Sequence, residues 1–283
     1  MNFTIQKFQI EILKDRCKVD SRKSPMIVLI GKKDTGKSFL VRDIMYNTQN
    51  EFPIGTVISA TEVANEFFQH MVPSKLIHDK YKPEIVTNMI KRQLSMKAHR
   101  NTDKHGRGEV SAVDPRAFLI LDDCLYDGSW VKEESTRYIF MNGRHIDLMT
   151  IITMQYPLGI SPNLRTNVDF IFILRENVIN NRKRIYDNYA GMFPTFEMFC
   201  HFMDQCTENF ECLVICNGIQ SNRLEDQVFW YKAVDHPQFK MCDDSLWVDN
   251  KAFSSTMLAA DEYENGSVKK KNAGPWVHVK KVG

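Results

Sequence analysis

Five stretches of the chain are rich in Val, Ile, Leu, Met and Phe, at 26–30, 55–60, 117–121, 149–155 and 169–174. Most are nearly continuous rather than alternating, which is the pattern of strands buried on both faces. Because helical or loop-like segments separate them, the order predicts an α/β fold with a mostly parallel sheet flanked by helices. Two further runs, 210–216 and 227–233, flank the turn-rich "NGIQSNRLED" and read as a hairpin-like pair with a longer loop, added C-terminal strands that extend the sheet. Between the second and third runs, Ile85, Met89, Ile90, Leu94 and Met96 recur at roughly helical spacing behind Pro83, a residue suited to a first helical turn. The "NTDKHGRGEVSAVDPR" that follows is polar and contains glycine, as a mobile loop would.

Composition narrows this picture. With 283 residues, 43% of them hydrophobic, the chain can bury a sizeable core. Periodicity is lost past residue 250, so a folded domain over 1–250 and a basic, loosely ordered tail over 251–283 are expected. No apolar run approaches the ~20 residues that span a bilayer, and the first residues lack the basic-then-apolar order of a signal peptide. A soluble protein retained in the cytosol, without membrane insertion, is the expectation. Seven scattered cysteines make no disulfide framework and suit buried free thiols. Cys200, His201, Cys206, Cys212 and Cys216 cluster loosely without a Cys-x-x-Cys pair, which favours core packing over structural zinc. A net charge of +2 is too small to announce a nucleic-acid partner, so such a partner would be met by local patches.

The first apolar run leads into Gly31-Lys32-Lys33-Asp34-Thr35-Gly36-Lys37-Ser38, and helix-forming residues from Phe39 onward follow directly. In this Gly-x-x-x-x-Gly-Lys-Ser pattern the glycines let the backbone curl so that successive N–H groups face a phosphate chain. The helix N-terminus adds its positive dipole end. Gly31 to Phe39 are therefore the candidate nucleotide-binding residues, with Lys37 reaching the β- and γ-phosphates and the Ser38 hydroxyl ligating Mg2+. ATP and Mg2+ are the expected cofactors.

Two more strand ends complete the chemistry. "AFLILDDC" delivers Asp122 and Asp123 to the end of a buried strand. A carboxylate there orients the Mg2+ shell, the role of Asp122. Asp123 beside it can accept a proton from the attacking water. In "MTIITMQYP", Gln155 ends another buried strand, where its amide can donate to the γ-phosphate and accept from the lytic water. Thr153 reads there as a β-former.

Taken together, "GKKDTGKSFL", "FLILDD", "TMQYP" preceded by "NGRH", "NVDFIFILRE" and "FECLVICNGIQSNRLEDQVFWYKA" resemble the DNA-packaging ATPases of large nucleocytoplasmic DNA viruses. These form the poxvirus and giant-virus branch of the FtsK-HerA superfamily of ring-forming DNA pumps. The resemblance covers roughly Phe8 to Ala233. It implies a RecA-like P-loop NTPase in which the glutamine strand lies between the phosphate-loop strand and the carboxylate strand, with Gln155 beside the γ-phosphate. The wider superfamily usually has Asp-Glu where this chain has Asp122-Asp123, and the shorter Asp123 departs from that pattern. The resemblance further implies a homo-oligomeric ring whose sites are completed by an arginine from the neighbouring subunit. Arg144, in "MNGRHIDL", occupies the stretch that carries this finger, with Arg165 and Arg137 as rivals.

The implied work is translocation of double-stranded DNA into a preformed capsid, with capsid vertex proteins as partners and the virion and host-cell cytoplasm as location. A pump needs basic residues on its DNA path. From Lys91 to Arg107 the chain has six Lys or Arg against one Asp. Lys269-Lys270-Lys271 and Lys280-Lys281 add a basic tail that would tether DNA or capsid. Three other readings share the phosphate loop. A nucleotide kinase has no use for a carboxylate pair followed by a strand-end glutamine. A slowly hydrolysing switch or scaffold at the capsid vertex is compatible with Asp123. A helicase shares the whole site, although no aromatic platform for single strands is evident.

Overall fold

Alternation decides which core each strand residue enters. The computed structural model describes residues 4–19, 21, 23–105, 113–124 and 130–248, with 100–105 described by backbone alone. The chain begins with β1 (Gln6–Lys7), α1 (Ile10–Cys17), β2 (Met26–Ile30) and α2 (Lys37–Asn47). It continues through β3 (Ile54–Ser59), α3 (Glu62–Asn65), β4 (Ile77–His78), α4 (Pro83–His105), β5 (Ala117–Asp122) and α5 (Glu134–Asn142). Then come β6 (Leu148–Met154), α6 (Pro162–Arg165), β7 (Phe170–Ile173), α7 (Ile179–Tyr189) and α8 (Phe196–Cys206). β8 (Glu211–Cys216), α9 (Leu224–Gln227) and β9 (Val228–Lys232) complete the described elements.

The nine strands form one sheet in the order β1-β9-β8-β7-β2-β6-β5-β3-β4. From β7 to β4 all pairings are parallel, while β8 runs antiparallel to both β7 and β9. This is the expected sheet, with the glutamine strand β6 between β2 and β5 and the β8–β9 pair extending one side.

Continuous apolar runs are needed because both faces are dry. Met26, Val28 and Ile30 of β2 enter one core with Val86 and Met89 of α4, Ile139 of α5, Ile185 of α7 and Phe199 of α8. Ile27 and Leu29 enter the other with Leu13 of α1, Leu40, Val41 and Ile44 of α2, and Phe8. The same period of two repeats in β5, β6 and β7, so one register slip would exchange two complete layers.

Where structure and pattern part, the cause is local. α4 runs to His105, so 101–105 of the expected loop are helical: no proline or glycine interrupts the sequence before Gly106. Residues 106–112 of that loop, and the whole expected tail 251–283, lie outside the described residues. Strand β8 begins at Glu211 rather than at Phe210, whose φ of 62° is incompatible with extended backbone. β1 and β4 have two residues each, too few to show a period.

The clustered cysteines pack as thiols. Cys206, Cys212 and Cys216 are buried and free, and burial pushes Cys206 up to about 11 and Cys216 up to about 12. Among the described residues no helix is long and apolar enough to cross a membrane.

One glycine is required by close approach. A Cβ on Gly55 of β3 would lie 2.1 Å from Phe118 Cζ, whose ring is fully buried against Phe52 at a centroid distance of 6.0 Å. Gly55→Ala is expected to cost about 1–3 kcal/mol through overpacking. Urea midpoints would test this, with Gly55→Ala/Phe118→Leu recovering part of the loss; an unchanged single mutant would contradict it.

Candidate functional site

Parallel pairing brings the chemistry to one edge. Ile30 of β2 lies opposite Met154 of β6, and Asp122 of β5 lies opposite both Thr153 of β6 and Ser59 of β3. The phosphate loop, the carboxylate pair and Gln155 therefore leave the sheet side by side.

The loop is closed by its own polar atoms. Gly31 has no room for a side chain, since a Cβ would lie 2.6 Å from Thr35 Oγ1 and 3.0 Å from Leu174 Cβ. Thr35 Oγ1 donates to the Lys32 carbonyl at 2.8 Å. Gly36 takes the left-handed φ of 97° at which α2 begins, the conformation glycine adopts without steric penalty. Lys37 Nζ donates to the carbonyls of Gly31 at 2.7 Å and Lys32 at 3.0 Å. Lys33, Asp34, Ser38 and Phe39 are exposed on this rim. The Ser38 hydroxyl takes no hydrogen bond among the described residues.

Lys32 is tied from outside the loop. Its ammonium pairs with Glu176 Oε1 at 2.5 Å, and Glu176 also accepts from the Val178 N–H at 2.7 Å and Asn181 Nδ2 at 3.1 Å. Burial opposes this charge, yet the donors outweigh it and hold the Glu176 carboxyl below the ordinary carboxylate range. Behind the loop, buried Asp43 of α2 accepts from Tyr231 Oη at 2.5 Å and from Asn47 Nδ2 at 3.2 Å, and pairs with His236 Nε2 at 2.5 Å. The phosphate-loop helix is thus bolted to β9 and to the segment after it.

At the end of β5 the two carboxylates have different surroundings. Asp122 accepts from Thr153 Oγ1 at 2.7 Å and from Ser59 Oγ at 2.8 Å. Burial nevertheless pushes its carboxyl above the ordinary range, since hydration is lost and Asp123 lies beside it. Asp123 has a φ of 47°, and its N–H donates to Thr153 Oγ1 at 3.0 Å. Its Oδ2 accepts from Gln155 Nε2 at 2.8 Å and lies 4.0 Å from Lys37 Nζ. Burial lowers the Lys37 pKa, opposed by the carboxylates of Asp123, Asp122 and Asp34.

Lys37, Asp122, Asp123 and Gln155 are thus brought together, and Thr153 is the piece that pattern reading undervalued. It is more than a β-former, because one hydroxyl holds both aspartates. Ser59 was likewise unmarked. The signal was present as three polar residues on one rung of adjacent strands, visible only once strand order is known.

Arg144 sits elsewhere. It is exposed in the turn between α5 and β6, at the opposite end of β6 from Gln155, about 20 Å away at ~3.3 Å per residue. It therefore does not serve its own chain's site. Arg165 spreads over the Tyr189 ring at 5.3 Å, and Arg137 is exposed on α5. In the basic stretch, Arg92 donates to the Pro115 carbonyl at 3.4 Å and Lys97 to the His145 carbonyl at 2.8 Å, while Lys91 is exposed.

These contacts generate two expectations. Thr153→Val keeps the strand former but leaves the Asp123 N–H and one Asp122 oxygen unpaired, at a cost of about 1–3 kcal/mol in urea unfolding. Asp122 has a raised folded-state pKa, so its stabilising contribution is present below about pH 4 and is lost as pH rises through the folded value. Asp122→Asn should therefore match the parent near pH 4 and exceed it in stability at pH 7. Equal pH profiles for the two would contradict this.

No protein-family model matches the chain. An uncharacterized protein of Acanthamoeba polyphaga mimivirus is 41% identical over 212 residues, covering 75% of this chain and 73% of its own length. Another, from Invertebrate iridescent virus 3, is 36% identical and covers 77% of this chain and 81% of its own. Among solved structures, the pCW3 conjugation coupling protein TcpA with ATPγS matches 84% of this chain and 66% of its own, at 15% identity and a TM-score of 0.53. The DNA-packaging ATPase B204 of Sulfolobus Turreted Icosahedral Virus matches 76% of this chain and 100% of its own, at 15% identity and a TM-score of 0.49. The fold is that of a P-loop NTPase, and the chain belongs to the family of large DNA virus proteins that includes these mimivirus and iridescent virus members.

Proposed function

We propose that this chain is the ATPase of viral genome packaging, a homo-oligomeric ring that hydrolyses ATP to move double-stranded DNA into a preformed capsid. The observation that carries the hydrolytic half is the convergence of Lys37, Asp123 and Gln155 at one carboxylate oxygen. A phosphate chain in the loop would meet the Lys37 ammonium and the loop N–H groups first. A water beyond the γ-phosphate would meet Asp123, which can take its proton. Gln155, with its amide nitrogen tied to Asp123, retains a carbonyl to accept from that water. Thr153 holds the left-handed Asp123 backbone, so the base is positioned before substrate arrives.

Mg2+ fits the donors available. The Ser38 hydroxyl and the Asp122 carboxylate are hard oxygen ligands of the kind it takes together with waters and phosphate. When bound, it would neutralise charge on the β- and γ-phosphates.

The DNA half rests on the motif resemblance, supported by kinship with proteins of large DNA viruses. Arg144 would act in a neighbour's site, consistent with its distance from its own. Lys91 and the basic residues beyond it would face DNA, capsid vertex proteins would dock the ring, and the location would be the virion and the cytoplasmic assembly site.

The test is steady-state ATP hydrolysis with and without long double-stranded DNA. Duplex should stimulate the parent, Lys37→Ala should be inactive, and Arg144→Ala should lose on the order of 10^3-fold. Mixing Arg144→Ala with Lys37→Ala should restore part of the activity, because each supplies what the other lacks. DNA-independent hydrolysis unaffected by Arg144→Ala would reject the ring pump.

A further inference from the structure

Beside the phosphate loop the described surface holds an apolar cavity of about 410 Å3, lined by Gly36, Phe39, Leu40, Leu174, Phe210 and Lys232 among others. That is within the range of small-ligand sites, roughly 300–1,000 Å3. Two of its walls are exposed aromatic rings, Phe39 at 39% and Phe210 at 68%. Large apolar side chains this open, flanking one cavity, ask for a partner.

The Phe210 ring is held there by unusual backbone. Asn209 and Phe210 have φ of 51° and 62°, consecutive non-glycine residues in the left-handed region. Such conformations persist where the surroundings enforce them, and they concentrate at ligand clamps. The turn carries Phe210 off the start of β8 and toward the phosphate loop: a Cβ on Gly36 would lie 3.4 Å from Phe210 Cδ1. Leu174 joins the two regions, packing 3.0 Å from the corresponding position on Gly31 and lining the cavity. The cavity thus opens one residue from Lys37, whose ammonium bonds the Gly31 and Lys32 carbonyls of the loop.

We propose that this cavity receives the purine base of the bound nucleotide, with Phe39 and Phe210 as its stacking surfaces. The inference rests on the nucleotide reading of the phosphate loop. Its lining determines the kind of recognition. Of the lining side chains, Lys232 carries the strong hydrogen-bonding group, an ammonium that only donates, while the Cys212 thiol is already turned to the Tyr231 carbonyl at 3.5 Å. Adenine and guanine both present N7 as an acceptor, so the Lys232 ammonium does not distinguish them. Stacking on aromatic rings is tolerant of base identity because every base has a π-face. A purine offers this stacking the largest flat area, and the loop would hold its phosphates.

Calorimetric titration of the full chain with Mg2+ and three probes, ATP, GTP and inorganic tripolyphosphate, separates the base site from the phosphate site. Phe210 is exposed, so Phe210→Ala should retain the fold, and its tripolyphosphate affinity is the internal control. The expected result is a loss of about tenfold or more in ATP and GTP affinity in Phe210→Ala, with tripolyphosphate unchanged. Phe39→Ala should likewise lose ATP and GTP affinity, and the parent should bind ATP and GTP within about tenfold of each other, since only hydrogen-bonded readout discriminates more strongly. Unchanged ATP affinity in Phe210→Ala overturns the base site, and if light scattering shows altered assembly as well, the face belongs to a second copy of the chain. A larger preference between the purines overturns recognition by stacking. Failure of the parent to bind either ATP or tripolyphosphate is a different failure, because it removes the nucleotide reading and the base site with it.

Discussion

Parallel pairing of β7, β2, β6, β5 and β3 is the constraint on which the rest depends. In a parallel sheet every strand reaches the same edge in the same direction, so loops that follow different strands in sequence become neighbours in space. The register does the finer work, aligning Ile30 with Met154 and Asp122 with Thr153. Crossovers through helices need both faces covered, and the two apolar cores supply that cover. The same burial that holds the register dries the base of the site.

Dryness has an electrostatic consequence. A buried carboxylate is expensive unless donors meet it, and Asp122 is met by two hydroxyls that do not fully compensate. The fold therefore disfavours the charged form of this acid relative to water. Lys37 is shifted in the complementary direction, toward losing its charge. Each group disfavours its own ionisation alone and is relieved by an opposite charge nearby. A metal and a phosphate chain would supply those charges, which makes the site's strain and its affinity two aspects of one arrangement.

Much of this was legible in the chain itself. The apolar run, the glycine-bounded loop and the following helix needed only local rules, and the runs at 26–30, 117–121 and 149–155 fall within a residue of β2, β5 and β6. Asp122, Asp123 and Gln155 could be picked out because each ends a buried run. The roles of Thr153 and Ser59 could not, since threonine and serine in strands are common and their meaning depends on which strand lies alongside. Phe210 was hidden for another reason: in "FECLVIC" it looks like the first residue of a strand, and only the backbone turn shows that it points elsewhere. Arg144 is legible as a candidate but not as an actor, because its counterpart would belong to another molecule.

The nine-stranded sheet ends in two very short strands, β1 at one side and β4 at the other, of two residues each. An open margin of a sheet normally offers a row of unpaired backbone groups to which another chain can add. Here the outermost described strands are two residues long, so neither offers another chain a long ladder. A contact made along either of these described margins would rest chiefly on side chains, an association that can be loosened and remade without breaking a long backbone ladder.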